Sequence, residues 1–181
     1  MQQERFSILD GGLEQSSLQT VEEARRHLAD SLRAGGSECP CCGAQVKPYR
    51  VTITKNMLRE LRWAVDNSNA VVDGSIFPQQ AKFVDFADAP DDIRASRTIS
   101  KLRYFGLVEK KLRIDLDGSE REVQGCWRPT AKGIRFALGM LSLRTRALVF
   151  RGETLDQLGE KESAADIMSR GTTGDEVRDE P

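Results

Sequence analysis

The stretch DDIRASRTISKLRYFGLVEKKLRI, residues 91–114, decides the fold that the sequence predicts. Its apolar residues recur at helical spacing as far as a glycine, which predicts a single helix that Gly106 ends. The residues that this helix would bury are Ile93, Ile99, Leu102 and Phe105. Basic residues fill the positions between them, so we expect the exposed side of the helix to be positively charged.

A two-stranded hairpin is predicted after this glycine. Its first strand alternates between apolar and basic residues, as a half-buried strand does. The inward face would contain Val108, Leu112 and Ile114, and the outward face Lys111 and Arg113. Asp117-Gly118 is a hairpin turn signal, and REVQGCW, residues 121–127, is the return strand with Val123 and Trp127 on one face. A helical segment followed by a basic hairpin is the order of a winged-helix domain, in which the hairpin is the wing.

Further elements flank this pattern on both sides. They are a helix capped by Thr20 and Glu23 and stopped by Gly35-Gly36, a helix from Thr54 to Asn67-Ser68-Asn69, a short extended piece around Phe83-Val84, a helix from Thr130 through Leu138 and a short strand over 147–151. Few apolar residues follow Gly152. We therefore expect residues 160–181 to be disordered.

The predicted fold class is α+β: a winged helix-turn-helix-like domain with an N-terminal helix and a small cysteine knuckle. The predicted organisation is a flexible arm over 1–18, the helix and CPCCG knuckle over 19–50, the winged-helix-like domain over 51–155 and an acidic, disordered tail over 156–181.

The composition excludes several classes of protein. The chain has 181 residues, of which 39% are hydrophobic and 30% charged. No apolar run approaches the ~20 residues of a membrane span, and the N-terminus has no signal-peptide pattern, so we expect a cytoplasmic protein without a membrane partner. One histidine, no glycine-rich phosphate loop and no nucleophile elbow predict a protein that is not an enzyme.

Charge is segregated along the chain. Residues 94–151 contain 14 basic and five acidic residues, a net charge of +9, and residues 152–181 have a net charge of −6. The basic block has the sign that double-stranded DNA attracts, and the acidic tail would compete for the same surface. The candidate DNA-binding residues are Arg94, Arg97, Ser100, Lys101 and Arg103 on the helix and Lys110, Lys111, Arg113 and Arg121 on the wing. A solvated basic face is the alternative.

The cysteine cluster Cys39-Pro40-Cys41-Cys42-Gly43 has half of a zinc-knuckle pattern. Cys39 and Cys42 have the spacing of two ligands of one tetrahedral Zn²⁺ ion. His27 and Cys126 are the candidates for the third and fourth ligands. The alternative is a turn that packs without metal, with His27 solvated and Cys126 a small buried hydrophobe.

Three motifs resemble a family of largely uncharacterised phage and prophage proteins. They are CPCCGAQVKPYR, SKLRYFGLVEKK and GCWRPTAKGIRFALG, and the resemblance spans about residues 19–155. It implies a winged-helix-like fold, a phage origin and the cytoplasm of the host, but no function. Members of the family often have a histidine in the segment that matches Phe83 to Asp88, and this chain has none there.

The function predicted from the sequence is that of a non-enzymatic, regulatory DNA-binding protein of phage origin. The alternative is a protein-interaction module that binds a host or phage protein or forms part of a phage assembly, which the acidic tail and the near-neutral total charge of −1 favour. Both a monomer and a homodimer are compatible with the sequence, because no long heptad pattern enforces a dimer.

Overall fold

The computed structural model describes residues 30–32, 36–38, 43–72 and 74–170. The chain divides into two compact units, Met1–Val46 and Lys47–Pro181. In the first unit, strand β1 (Ser37–Glu38) pairs antiparallel with β2 (Gln45–Val46). Of the helix predicted from Thr20, only residues 30–32 are described, and they are helical.

The second unit contains four helices, three short 3₁₀ segments and eight strands within its described residues. In chain order they are β3 (Tyr49–Thr52), α1 (Lys55–Asn67), β4 (Val71–Val72), β5 (Ser75–Ile76), a 3₁₀ turn (Pro78–Gln80), β6 (Val84–Asp85), a 3₁₀ turn (Phe86–Asp88), α2 (Asp91–Arg94), the 3₁₀ helix (Ile99–Phe105), β7 (Val108–Ile114), β8 (Glu120–Pro129), α3 (Ala131–Ala137), β9 (Leu143–Phe150), β10 (Glu153–Glu162) and α4 (Ala164–Ser169). The protein is therefore α+β. None of the described helices has the length and apolar character to span a bilayer.

Two three-stranded antiparallel sheets enclose the core of this unit. One has the strand order β6-β8-β7 and the other β10-β9-β3. Helix α1 provides one side of the core through Leu58 and Leu61, which are fully buried. The predicted start of α1 is confirmed, because the Thr54 side chain accepts a hydrogen bond from the Met57 amide at 3.3 Å and caps the helix.

The single helix predicted over residues 91–105 is wrong. Helix α2 ends at Arg94, Arg97 has a left-handed φ of 48°, and the chain then forms the 3₁₀ helix. Gly106, with φ 68°, ends that helix as predicted, and its amide is bonded to the Arg103 carbonyl at 2.9 Å. The four residues predicted to be buried, Ile93, Ile99, Leu102 and Phe105, are all buried.

The predicted hairpin is confirmed, but the predicted inward face is wrong beyond Val108. Leu112 is 52% exposed and Ile114 is 73% exposed. The register shifts between Lys110 and Leu112, because Lys110 pairs with Trp127 of β8 and Leu112 pairs with Glu122. Beyond this irregularity the hairpin extends past the core, so that neither of its faces is covered.

The helix predicted from Thr130 is confirmed as α3. The Thr130 hydroxyl accepts the Gly133 amide at 3.0 Å, and the Thr130 amide donates to the Leu107 carbonyl at 3.0 Å. A Cβ atom on Gly133 would lie 2.0 Å from that carbonyl oxygen, so only glycine fits at this crossing.

The sheet β10-β9-β3 was not fully predicted. Strand β9 begins at Leu143, four residues before the predicted strand, and β10 pairs with it through a segment in which few residues are apolar. Residues 156–170 of the predicted tail form the rest of β10 and helix α4, whose Ala164 and Ile167 are buried. Disorder is therefore wrong for residues 156–170, and residues 171–181 lie outside the described part of the chain.

Candidate nucleic-acid interface

A buried carboxylate fixes the loop between α2 and the 3₁₀ helix. Glu60 of α1 is 1% exposed. One of its oxygens accepts the Thr98 amide at 2.9 Å and the Ser96 hydroxyl, and the other accepts the Thr98 hydroxyl at 2.7 Å. These bonds hold residues 96–98 out of a helical path, and the side chain of Arg97 between them is exposed.

The 3₁₀ helix presents basic side chains to solvent. Its apolar residues are buried, whereas Lys101 and Arg103 are exposed and Ser100 is half-buried. Its C-terminal end is fixed by Lys132, whose Nζ donates to the Phe105 carbonyl at 2.7 Å. The positive charge of Lys132 also interacts favourably with the negative C-terminal end of the helix dipole.

Two tyrosines and an arginine form an exposed cluster at the end of the 3₁₀ helix. The hydroxyls of Tyr49 and Tyr104 are 2.9 Å apart, and Arg103 Nη2 donates to the Tyr104 hydroxyl at 3.4 Å. The hydrogen bond with Tyr49, together with Arg103, lowers the pKa of the Tyr104 phenol, while the bond with Tyr104 raises the pKa of Tyr49. Thr154 at the start of β10 donates to the Tyr104 carbonyl at 2.9 Å, so β10 supports the cluster.

Five of the predicted DNA-binding residues are paired with carboxylates of the same surface. The pairs are Arg94 with Asp91, Arg103 and Lys110 with Glu122, and Arg113 and Arg121 with Asp115. Lys110 lowers the pKa of Glu122, which keeps that carboxylate charged. The Lys110 side chain is only 15% exposed and its Nζ lies 5.6 Å from the centre of the Trp127 ring, so this residue supports the wing rather than a ligand.

These pairs leave the wing without excess charge. Residues 108–129 contain five basic and five acidic residues, so the net charge of +9 over 94–151 comes from the segments on either side. Among the predicted set, Arg97, Lys101 and Lys111 have no carboxylate partner in the described part of the chain. Glu122 contacts both Arg103 and Lys110 and so joins the root of the wing to the 3₁₀ helix.

A second group of basic residues was missed by the sequence analysis. It lies on the outer face of the sheet β10-β9-β3 and contains Arg50, Arg144, Arg146 and Lys161. The alternation of LRTRA, residues 143–147, was the sequence signal for it.

The predicted zinc ligands Cys39, Cys42 and His27 lie outside the described residues, as does Cys41. Cys126 is described, on β8, where it pairs with Asp85 of β6. Burial and then the Asp85 carboxylate raise the pKa of its thiol, which opposes the thiolate form that zinc requires. Within the described ranges no group of three His, Cys, Asp or Glu residues could hold a metal ion. Zinc binding by Cys126 therefore stays a prediction, which the raised pKa of its thiol disfavours.

No family model, curated protein or solved structure matches this chain. Its function is therefore argued from the geometry of its own residues.

Proposed function

We propose that the protein is a non-enzymatic, double-stranded-DNA-binding protein with a winged-helix arrangement and a regulatory role. The support is the order of its elements: helix α1, strand β6, helix α2, the 3₁₀ helix and the hairpin β7–β8, with β8 at the centre of the sheet. In a winged helix this order presents the last helical segment to a groove and the hairpin to the neighbouring phosphates.

The docking element in this proposal is the loop 96–98 together with the 3₁₀ helix. The seven residues of the 3₁₀ helix extend about 14 Å at ~2.0 Å per residue. This length is shorter than that of the usual recognition helix. Arg97 has a guanidinium free to bond a guanine edge or a phosphate, and Ser100, Lys101 and Lys111 provide phosphate contacts. The paired residues, such as Arg113 and Arg121, contribute less because DNA would have to displace Asp115 first.

The observation that carries the proposal is the exposed Arg97, which has no ion-pair partner among the described residues and has a left-handed φ. The buried Glu60 bonds Ser96 and Thr98, the residues before and after Arg97, and so holds this conformation. The test is fluorescence anisotropy of the protein with duplex DNA over a series of salt concentrations. Arg97→Gln with Lys101→Gln should make the slope of log K against log salt shallower by about 2, since each phosphate contact contributes about 0.9. Arg113→Gln with Arg121→Gln, which removes the same charge from paired positions, is the control.

A second candidate function is favoured by the tip of the wing. Leu112, Ile114 and Leu116 are exposed there, and a charge-neutral hairpin with apolar residues suits a protein partner better than phosphates. Leu112→Ser with Ile114→Ser should leave DNA affinity unchanged in either case. If these changes abolish a complex that survives nuclease treatment, whereas Arg97→Gln with Lys101→Gln does not, the protein-interaction module is the correct function.

Two predictions from the sequence accompany the proposal. A structural zinc ion would involve Cys39 and Cys42, with His27 and Cys126 as the candidates for the remaining ligands. A phage origin rests on the motifs quoted above. Metal analysis of the purified protein tests the first.

A further inference from the structure

The outer face of the sheet β10-β9-β3 carries a second concentration of basic side chains. Along β9, Thr145, Ala147 and Val149 are buried, whereas Arg144 and Arg146 are exposed. Because successive side chains point to opposite faces of a strand, these arginines lie on the face opposite Thr145, Ala147 and Val149. Leu148 lies on the same face as the arginines and is buried, so the exposed part of this face is the part at Arg144 and Arg146.

The pairing of the strands brings further basic residues to the same face. Lys161 of β10 lies directly opposite Arg144. Arg50 of β3 lies opposite Leu148, which is two residues from Arg146 on β9. None of these four basic residues has a carboxylate within ion-pair distance among the described residues. The carboxylates that share the face toward the hairpin end are Asp156, opposite Leu148, and Glu153, opposite Phe150. Glu160 and Glu162 line a cavity together with Arg146, so this arginine has acidic neighbours beyond ion-pair distance.

An anion would relieve the repulsion between Arg144 and Lys161, which face each other across the strands. Like charges directly opposite each other in an antiparallel pair destabilise the sheet, and Arg144 and Lys161 have that relationship. Two residues along a strand advance about 6.8 Å, and one strand of DNA places a phosphate at about every 3.4 Å of helix axis. Because the strand winds around the axis as it rises, consecutive phosphates are separated by about twice that rise, so Arg144 and Arg146 are spaced like consecutive phosphates of one DNA strand.

We infer that this sheet face binds the sugar-phosphate backbone of a DNA duplex, so that one protein molecule holds two duplex segments, which rests on the DNA binding proposed above. The first surface is formed by residues 96–101 and Lys111, and the 3₁₀ helix buries Leu102 and Phe105 in the core that the inner face of the sheet also covers. The exposed side chains of the 3₁₀ helix and of the sheet therefore point away from a core that both elements share. DNA is stiff over about 150 bp, so a straight duplex lies against one of the two surfaces at a time.

The experiment is a capture assay with two duplexes. A short biotinylated duplex is bound to beads, protein is added, and a fluorescently labelled second duplex is added after washing. The wild-type protein should retain the label, and Arg50→Gln/Arg146→Gln/Lys161→Gln should remain on the beads but lose most of it. Arg135→Gln, which removes an exposed basic residue of α3, should behave as the wild type.

Equal retention of label by the triple variant would overturn the inference and would point to bridging by a dimer through the first surface. No retention of label by the wild type would overturn it as well. The proposed function is tested separately by Arg97→Gln/Lys101→Gln. If that variant binds one duplex with wild-type affinity while the triple variant binds none, the surface at residues 96–101 is wrong and the sheet face is a DNA-binding surface on its own.

Discussion

Glu60 accepts the backbone amide of Thr98 at 2.9 Å and its hydroxyl at 2.7 Å, across 38 residues of sequence. The same side chain accepts the Ser96 hydroxyl, so three donors on the loop satisfy the oxygens of a fully buried side chain. This bonding explains why a segment with helical spacing is not one helix. It also places Arg97 on the surface, where the proposed function requires it.

Replacing Glu60 should therefore destabilise the protein. In Glu60→Met the side chain has no oxygen, so the Thr98 amide and the hydroxyls of Ser96 and Thr98 lose their acceptor. We expect a loss of about 1–3 kcal/mol in the free energy of unfolding, measured with urea. Asp66→Asn, which changes an exposed carboxylate of the same helix, should alter it by less than about 0.5 kcal/mol. A loss no larger than that of the control would show that the loop does not depend on Glu60.

The pH dependence of stability should contain a contribution from Glu162. Its hydrogen bond with Arg170, followed by that with Thr145, lowers the pKa of this carboxylate in the folded state. A lowered folded pKa stabilises the fold above the unfolded value, about 4.3, and the contribution is lost as the pH falls through the folded value. Because the pair is partly exposed, we expect less than about 1 kcal/mol.

Thermal unfolding between pH 3 and pH 7 tests this. Glu162→Gln should lower the melting temperature at neutral pH and flatten its decline below about pH 4.3. Glu160→Gln, an exposed neighbour, should leave the profile unchanged. A profile for Glu162→Gln parallel to that of the wild type would contradict the prediction.

Removal of the acidic C-terminal segment should strengthen DNA binding. Residues 171–181 contain four acidic residues and one basic residue. At low salt their negative charge opposes the approach of phosphates, and screening removes the effect at high salt. A chain that ends at residue 170 should thus bind several-fold tighter at low salt and equally at high salt, measured by anisotropy. A full-length chain with Asp175, Glu176, Asp179 and Glu180 changed to amides should match the truncation. If it matches the wild type, charge is not the cause.

Cys126 should be dispensable for any zinc that the protein binds. Its thiol is half-buried beside Asp85, and its raised pKa favours the protonated form. In metal analysis of purified protein, Cys126→Ser should retain the zinc content of the wild type, whereas Cys39→Ser with Cys42→Ser should lose it. A loss of zinc in Cys126→Ser would show that β8 provides a ligand after all.

Local signals in the sequence predicted the parts of the fold that local interactions determine. The caps at Thr54 and Thr130 and the stop at Gly106 each involve residues within a few positions, and each was found where it was predicted. The break at residues 95–98 was missed because its cause, Glu60, lies far away in the sequence. A buried glutamate on an amphipathic helix has no recognisable sequence pattern.

The errors on the wing and the second sheet have a different physical origin. Alternation predicts which residues share a face of a strand but not where the strand extends past the core, so Leu112 and Ile114 were assigned to an inward face that ends at Lys110. Strand β10 was missed because its stability comes from pairing with β9 rather than from its own apolar residues. Because β10 was not predicted, the basic face that Arg144 and Arg146 share with Lys161 was not predicted either.

The most direct test of DNA binding by Arg97 and Lys101 is the salt dependence of affinity for random-sequence duplex DNA, compared between the wild type and Arg97→Gln/Lys101→Gln. We expect the wild type to bind with a steep negative slope and the variant to have a slope shallower by about 2, with an unchanged melting temperature. No binding of the wild type at low salt, or identical slopes for the two proteins, would contradict the proposed function.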